Sequence, residues 1–149
     1  MINQDYRINQ DYRINHDYII LTTLTLLLDV CLFFIVIQNS LNVMDLCFIY
    51  NVFCIHFIFL YSLYYENQCL IDFCHYNLFL LLAISPFIVT NVYILWVCLF
   101  LVYMVQLLWI IEERCILNKK DETFGYGKIL SVGVLCNTIL LSFCIGKKY

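Results

Sequence analysis

Long apolar stretches separated by short polar segments dominate the chain beyond its first eighteen residues. Residues 18–37 and 41–65 are each long enough, at about 1.5 Å per helical residue, to cross a hydrocarbon core of about 30 Å. Polar residues at 38–40 predict a turn between them, and the polar segment 66–72 predicts a short loop after the second. The pattern therefore indicates two consecutive transmembrane helices.

The next apolar stretch is too long for a single span, because no Asp, Glu, Lys or Arg occurs from residue 73 to residue 111. As one helix it would extend about 58 Å, nearly twice the hydrocarbon thickness, so it must fold back. Asn91 is the best turn residue, and Pro86 is expected to kink or fray the first arm. We predict helices at 73–89 and 92–111, with a break at Pro86 itself as the alternative.

A charged loop at 112–127 precedes a last apolar stretch at 128–145 and a polar tail at 146–149. Small residues in this last stretch allow close approach of neighbouring helices. The predicted fold is all-α, a polytopic transmembrane helical bundle of about five spans. Four spans result if the first or the last stretch only lies on the membrane surface.

A polar arm, residues 1–18, contains a six-residue motif three times, beginning at Ile2, Ile8 and Ile14. Six residues advance a helix by about 600°, so equivalent side chains would not form one stripe, whereas an even period suits a strand. Three such repeats are too short to bury a core. We therefore expect a mobile arm produced by tandem duplication rather than a docking strand.

Composition excludes other classes of protein. Hydrophobic residues make up 64% of the 149-residue chain and charged residues 13%, with a mean hydropathy of +0.87. A soluble domain carries roughly 25% charged residues, and a disordered chain is both more charged and less apolar. The net charge of −3 provides no basic surface for nucleic acid. The expected partners are the lipid bilayer and, within it, other proteins or further copies of the chain.

Asp29 lies near the middle of the first predicted span, where a carboxylate costs about 2.5–3.5 kcal/mol on insertion scales and needs a partner. Folding the chain at the turn brings Asp29 level with Asn51, whose amide both donates and accepts hydrogen bonds. We predict an Asp29–Asn51 contact, with a bond from Asp29 to Thr25 or to a carbonyl of its own helix as the equal alternative. His56 is less well aimed, about 140° further round the helix than Asn51.

Other polar residues in the predicted spans extend this argument. Gln106 and Asn137, together with Asp29 and Asn51, are expected to form a ladder of polar contacts that holds the helices together. Asp45 lies closer to the turn, where interfacial water can solvate it without a protein partner.

The nine cysteines form no C-x-x-C pair, and six of them lie inside apolar stretches. Cys69, Cys74 and Cys115 lie near polar segments on one predicted side, where a membrane thiol enzyme would need them. We favour the interpretation that the position of these three cysteines near polar segments is incidental in a chain rich in cysteine. His56 and His75 would differ in depth by roughly 10 Å, too much for two ligands of one haem, so no cofactor or metal is expected.

Several positions between residues 75 and 122 follow a recognisable pattern: His75, Pro86, Phe87, Asn91, Trp109, Cys115, Leu117 and Asp121. In this pattern the stretch resembles a family of small multi-pass membrane proteins found in bacteria and in large DNA viruses. The family pattern has Thr where this chain has Asn118 and Glu where it has Asp121. The resemblance implies the helical hairpin and no mechanism, since the family has no assigned activity. A viral or AT-rich genome would also explain the abundance of Ile, Asn, Tyr and Phe.

The sequence constrains the function of the chain less than it constrains its architecture. The chain has no P-loop, H-E-x-x-H or G-x-S-x-G motif, so its motifs do not support an enzyme. The main hypothesis is a structural or interaction component of a membrane or membrane complex. Two alternatives are a proton- or ion-conducting or transporter subunit that uses Asp29, and a membrane thiol oxidoreductase that uses Cys69, Cys74 and Cys115.

The distribution of Lys and Arg predicts the orientation. With five spans, six of the eight basic residues lie on the side of the amino terminus and the 112–127 loop, which is therefore predicted to be cytoplasmic. A glycosylation acceptor fused after Tyr149 should be modified outside, as measured in intact cells. A fused site reached only after permeabilisation would show that the number of spans is wrong by one.

Overall fold

The computed structural model describes the backbone of residues 2–112 and 126–148, and the side chains of residues 18–107 and 134–148. This part of the chain contains five helices and no strand, which confirms the all-α prediction for it. The helices are α1 (Ile2–Gln38), α2 (Val43–Tyr64), α3 (Gln68–Ile88), α4 (Val92–Glu112) and α5 (Tyr126–Lys148). Most of the predicted charged loop lies outside the described residues.

Asparagine begins three of the helices. The Asn42 side chain accepts a hydrogen bond from the Asp45 backbone N–H at 2.8 Å, and the Asn67 side chain accepts one from Leu70 N–H at 3.2 Å. Asn91 accepts from Tyr93 N–H at 2.9 Å. Each amide oxygen satisfies a donor that a helix start leaves open. Because Asn67 caps α3, that helix begins at Gln68, earlier than the residue 73 expected from charge alone.

The turn between α2 and α3 is tight because α2 ends in a Schellman motif. Glu66 adopts a left-handed backbone with a φ of 51°. Its N–H donates to the Leu63 carbonyl at 3.2 Å, and the Asn67 N–H donates to the Ser62 carbonyl at 2.9 Å. These two bonds satisfy carbonyls that the helix end would otherwise leave open, although glycine usually occupies the left-handed position. Only a few residues therefore separate the two helices.

The amino-terminal arm is helical along its backbone, since α1 begins at Ile2. The even period of its repeat favours a strand, but an isolated strand leaves its backbone donors and acceptors without partners. A helix satisfies them within the segment. The mobility of the arm stays a prediction.

Three helical segments are long and apolar enough to span a membrane: Tyr18–Gln38, Val43–Tyr64 and Gln68–Ile88. The described part of α4 adds a shorter apolar segment, Val92–Leu107. The chain is thus a helical membrane protein, as the composition indicates. The count of five spans and the orientation remain predictions.

The helices pack into one bundle. α2 lies against α3, α4 lies against α5, and α1 contacts both α2 and α4, while α3 also reaches α4 and α5. The main core includes Leu28 and Leu32 of α1, Ile49 of α2, Leu95 of α4 and Leu141 of α5. Large apolar side chains also cover the outer surface, which is expected of a bundle solvated by lipid.

Pro86 shapes the contact between α3 and α5. Proline has no N–H, so the carbonyl four residues earlier, that of Leu82, lacks its usual helical donor. Two side chains replace that donor: the Ser85 hydroxyl donates to this carbonyl at 2.8 Å and the Asn137 amide of α5 donates at 3.1 Å. The helix continues to Ile88 because a hydroxyl and a neighbouring helix satisfy the open carbonyl.

Replacing Asn137 with Leu should therefore weaken the packing of α3 against α5 by about 0.6–2 kcal/mol. The loss should be smaller in a Pro86→Ala background, because the restored backbone N–H then bonds the Leu82 carbonyl. Unfolding free energies in detergent for the two single variants and the double variant measure this coupling. Asn51→Leu is the matched control, and additive effects of Pro86→Ala and Asn137→Leu would contradict the account.

Candidate functional site

An acidic and a basic side chain meet inside the bundle, where α1 crosses α2. The Asp29 Oδ1 atom lies 2.6 Å from the His56 Nδ1 atom, a short hydrogen bond between two spans. The His56 side chain is only 4% exposed, whereas that of Asp29 is 25% exposed. Both residues lie well inside their helices, so the pair is placed towards the middle of the bundle rather than at its ends.

Asp29 thus has the interhelical partner that was expected of it, but the partner is His56 and not Asn51. Asn51 is exposed, and its amide donates to the Cys47 carbonyl of its own helix at 2.9 Å. The alternative partner within α1 is not used either, because the Thr25 hydroxyl donates to the Leu21 carbonyl at 2.8 Å.

The face of α2 explains this correction. Val52 is buried, and His56 follows four residues later on the same face of the helix. Asn51 directly precedes Val52 and is rotated from it by about 100°, which turns its side chain away from α1. Equal depth alone was therefore a poor criterion for choosing the partner.

Asp29 and His56 lie at different depths along their helices, and the direction of their side chains compensates for this difference. Side chains on a helix lean towards its amino terminus, and α1 and α2 run in opposite directions. Asp29 therefore leans away from the turn between the helices, while His56 leans towards it. The two side chains converge although their backbones are not level.

A small cavity lies beside the histidine. It has a volume of about 20 Å³, and apolar side chains from α1 to α4 form most of its wall. That is room for roughly one water molecule. Among its lining residues, His56 and Cys98 are the two that can gain or lose a proton.

A second polar cluster, the turn clamp (Asn42, Asp45, Thr90 and Lys148), joins helix ends at one end of the bundle. The Asp45 carboxylate is buried, with an exposure of 2%, and accepts from the backbone N–H and the hydroxyl of Thr90, both at 2.7 Å. Water was expected to solvate Asp45. The structure corrects this expectation, because the α3–α4 turn covers the carboxylate and supplies donors instead.

The other two members, Asn42 and Lys148, bond the same turn. The Asn42 amide donates to the Thr90 hydroxyl at 2.6 Å. The Lys148 ammonium, at the end of α5, donates to the carbonyls of Val89 and Thr90 at 2.9 and 2.7 Å. A cation near the carboxyl end of α3 is favoured by the helix dipole. The clamp therefore fixes the starts of α2 and α4 and the ends of α3 and α5 relative to one another.

Three of the four residues predicted for the polar ladder bond another helix, and Asn51 does not. The Gln106 amide of α4 donates to the Thr138 hydroxyl of α5 at 3.2 Å, and Asn137 bonds the Leu82 carbonyl as described above. Asp29, Gln106 and Asn137 thus each join two helices, while Asn51 does not.

The candidate thiols do not form a pair. Cys69 is exposed and Cys74 is buried, and both are free. Five residues apart on one helix, they are separated by about 140° around its axis. Cys115 lies outside the described residues. Within the described part of the chain, no group of three or more His, Cys, Asp or Glu side chains could hold a metal ion.

Comparison of the chain with models of known protein families, with curated proteins and with solved structures gives no match. The resemblance of residues 75–122 to a family of bacterial and viral membrane proteins therefore stays a prediction.

The turn clamp predicts a large effect of removing its carboxylate. Asp45→Ala removes the buried carboxylate that accepts from the N–H and the hydroxyl of Thr90, at a cost of about 1–3 kcal/mol. Reversible unfolding in detergent micelles measures this loss, and amide hydrogen exchange at Thr90 and Asn91 should accelerate. Asp72→Ala removes an acidic side chain from an exposed position on α3 and should change stability by less than about 0.5 kcal/mol. Equal effects of the two substitutions would contradict the clamp.

Proposed function

We propose that this chain is a structural or interaction component of a membrane or membrane complex, acting through packing and without turnover. The observation that carries the proposal is the use of its intramembrane polar side chains. Asp29, Gln106 and Asn137 each bond a different helix. Such bonds contribute to the association of helices in lipid and make a bundle rigid.

The interior agrees with this role. The cavity beside His56 has room for about one water molecule and is lined mostly by apolar side chains. Ligand sites are usually clefts of about 300–1,000 Å³ with several converging polar groups. The outer surface, in contrast, presents large apolar side chains such as Phe33 and Phe57 to lipid or to other membrane proteins.

A proton- or ion-conducting subunit is the second candidate, and the contact between Asp29 and His56 favours it. An ionisable residue inside a span marks a functional site by default, and chains of Asp, Glu and His carry protons in pumps. The pair supplies one step of such a chain. The apolar lining of the adjacent cavity offers no second step, so we rank this candidate below the first.

Purification of a tagged chain in mild detergent tests the first proposal. We expect a stoichiometric membrane-protein partner or a defined oligomer, identified by mass spectrometry and by the mass of the complex. Asp29→Asn keeps an amide that can bond His56 and should assemble normally, whereas Asp29→Leu should assemble less well. A monodisperse monomer without partners, isolated under several mild conditions, would contradict an interaction role.

Measurement of proton flux into liposomes tests the second candidate, the proton- or ion-conducting subunit. Flux that is present with the wild-type chain and lost in a normally assembled Asp29→Asn variant would replace the packing proposal with conduction.

A further inference from the structure

One face of α2 points away from the bundle along most of the helix. Its exposed residues follow one another at alternating intervals of three and four, and they are Met44, Cys47, Asn51, Cys54, Ile58 and Tyr61. We call this row the α2 seam. Met44 and Tyr61, at its two ends, are 56% and 52% exposed. The helices α1 and α3 pack against α2 and leave the α2 seam uncovered.

The spacing of the α2 seam makes it a continuous strip. Intervals of three and four average 3.5 residues, close to the 3.6 residues of one helical turn, so the row stays on one side of α2. Two helices that each present such a strip pack along their length with a small left-handed crossing. Any exposed face of a straight helix has this geometry. The composition of the strip is therefore what distinguishes it from a surface that only contacts lipid.

Asn51 is the amide in the α2 seam, and it lies well inside the candidate span Val43–Tyr64. Its side chain donates one hydrogen bond, to the Cys47 carbonyl at 2.9 Å. An asparagine side chain has a second N–H and an acceptor oxygen, and neither of these has a partner within the described residues. Hydrocarbon supplies no donor or acceptor. A protein group inside the membrane is therefore needed to satisfy them.

Small side chains surround this amide along the strip. Cys47 and Cys54 lie about one helical turn before and after Asn51, and both are exposed and free. A free cysteine behaves as a small apolar residue. Small residues at an interface in the membrane let two helix backbones approach closely, and a side chain as short as asparagine then reaches across to the neighbouring helix.

The chemistry of the α2 seam fits a second copy of the chain. An amide both donates and accepts, so it is complementary to an identical amide. None of the six residues is charged, and two identical seams therefore do not repel each other. Two copies inserted in the same orientation and related by a two-fold axis along the membrane normal place Asn51 opposite Asn51 at one depth. A different protein would need a polar group of its own at that depth.

We infer that the α2 seam is the interface of a two-fold symmetric dimer of this chain in the membrane. The second N–H of each Asn51 donates to the Oδ1 atom of Asn51 in the other copy, and the small side chains of Cys47 and Cys54 allow the two α2 helices to approach. This inference rests on the proposed interaction role and names the partner as a second copy. Asn51 thus acts between copies, while Asp29 acts between helices of one copy.

Thiol crosslinking of the full chain in membranes tests the geometry. In the dimer, Cys47 lies opposite Cys47 of the second copy, and Cys54 lies opposite Cys54. A short membrane-permeant thiol linker should join each pair, as identified by mass spectrometry of the linked peptides. Cys31 and Cys136 are exposed cysteines of α1 and α5 and should not be linked to their counterparts. Crosslinks through Cys31 or Cys136 alone would indicate a dimer formed by another face and would overturn the inference.

Energy transfer between differently labelled copies in lipid vesicles measures the strength of the dimer. Asn51→Leu removes the reciprocal bonds and should keep the fold, because Asn51 bonds no other helix. Its dimer dissociation constant should be about 3- to 30-fold higher than that of the wild type. Asn51→Gln keeps an amide and should retain most of the affinity. An unchanged constant in folded Asn51→Leu protein would overturn the inference.

Asn77→Leu is the matched control for the loss of an amide. The Asn77 side chain of α3 also donates to a carbonyl of its own helix, that of Phe73, at 2.8 Å. It lies outside the α2 seam, so its replacement should leave the dissociation constant unchanged. A loss of affinity as large as that of Asn51→Leu would contradict a specific role of Asn51. Circular dichroism and a single elution peak establish that each variant is folded.

The same measurements separate this inference from the interaction role on which it rests. A chain that is monomeric with respect to itself and binds a stoichiometric membrane protein of another kind would overturn the dimer and keep the interaction role. A monomer without any partner would overturn both. A dimer that is linked through Cys47 and Cys54 and weakened by Asn51→Leu supports both.

Discussion

A hydrocarbon environment offers no hydrogen-bond partner, so polar groups inside the spans depend on the protein for theirs. This constraint explains the main contacts between the helices. The Leu82 carbonyl, left open by Pro86, takes an amide from α5, and Asp29 takes the imidazole of α2. Apolar packing fills the remaining space. Lipid tails can replace the apolar contacts between helices, but they cannot replace the hydrogen bonds.

Asp29 and Asp45 show that the same type of side chain has different roles in different surroundings. Asp45 is enclosed and accepts from donors that never titrate, so it fixes the α3–α4 turn to the start of α2. Asp29 is 25% exposed and bonds the imidazole of a neighbouring span. The same side chain therefore joins a turn to a helix start at the end of the bundle and joins two spans in its middle. Placement of neighbouring donors, rather than the carboxylate itself, makes this difference.

Apolar packing and polar contacts act together in this bundle. A rigid bundle keeps the Asp29 carboxyl group and the His56 imidazole at hydrogen-bond distance. The turn clamp adds to this rigidity from one end, because Lys148 connects the end of α5 to the α3–α4 turn.

The sequence by itself determined the class of the protein and nearly all of its helices, because hydropathy and charge-free length are local properties. It also identified Asp29 and Asn137 as residues that need partners, since their depth follows from counting along one helix. The partners themselves depended on tertiary structure. Whether His56 or Asn51 meets Asp29 is decided by the rotation of α2 and by the opposite lean of side chains on antiparallel helices. Likewise, Asp45 and Lys148 meet the same turn only because four helix ends converge there, and no local pattern contains that convergence.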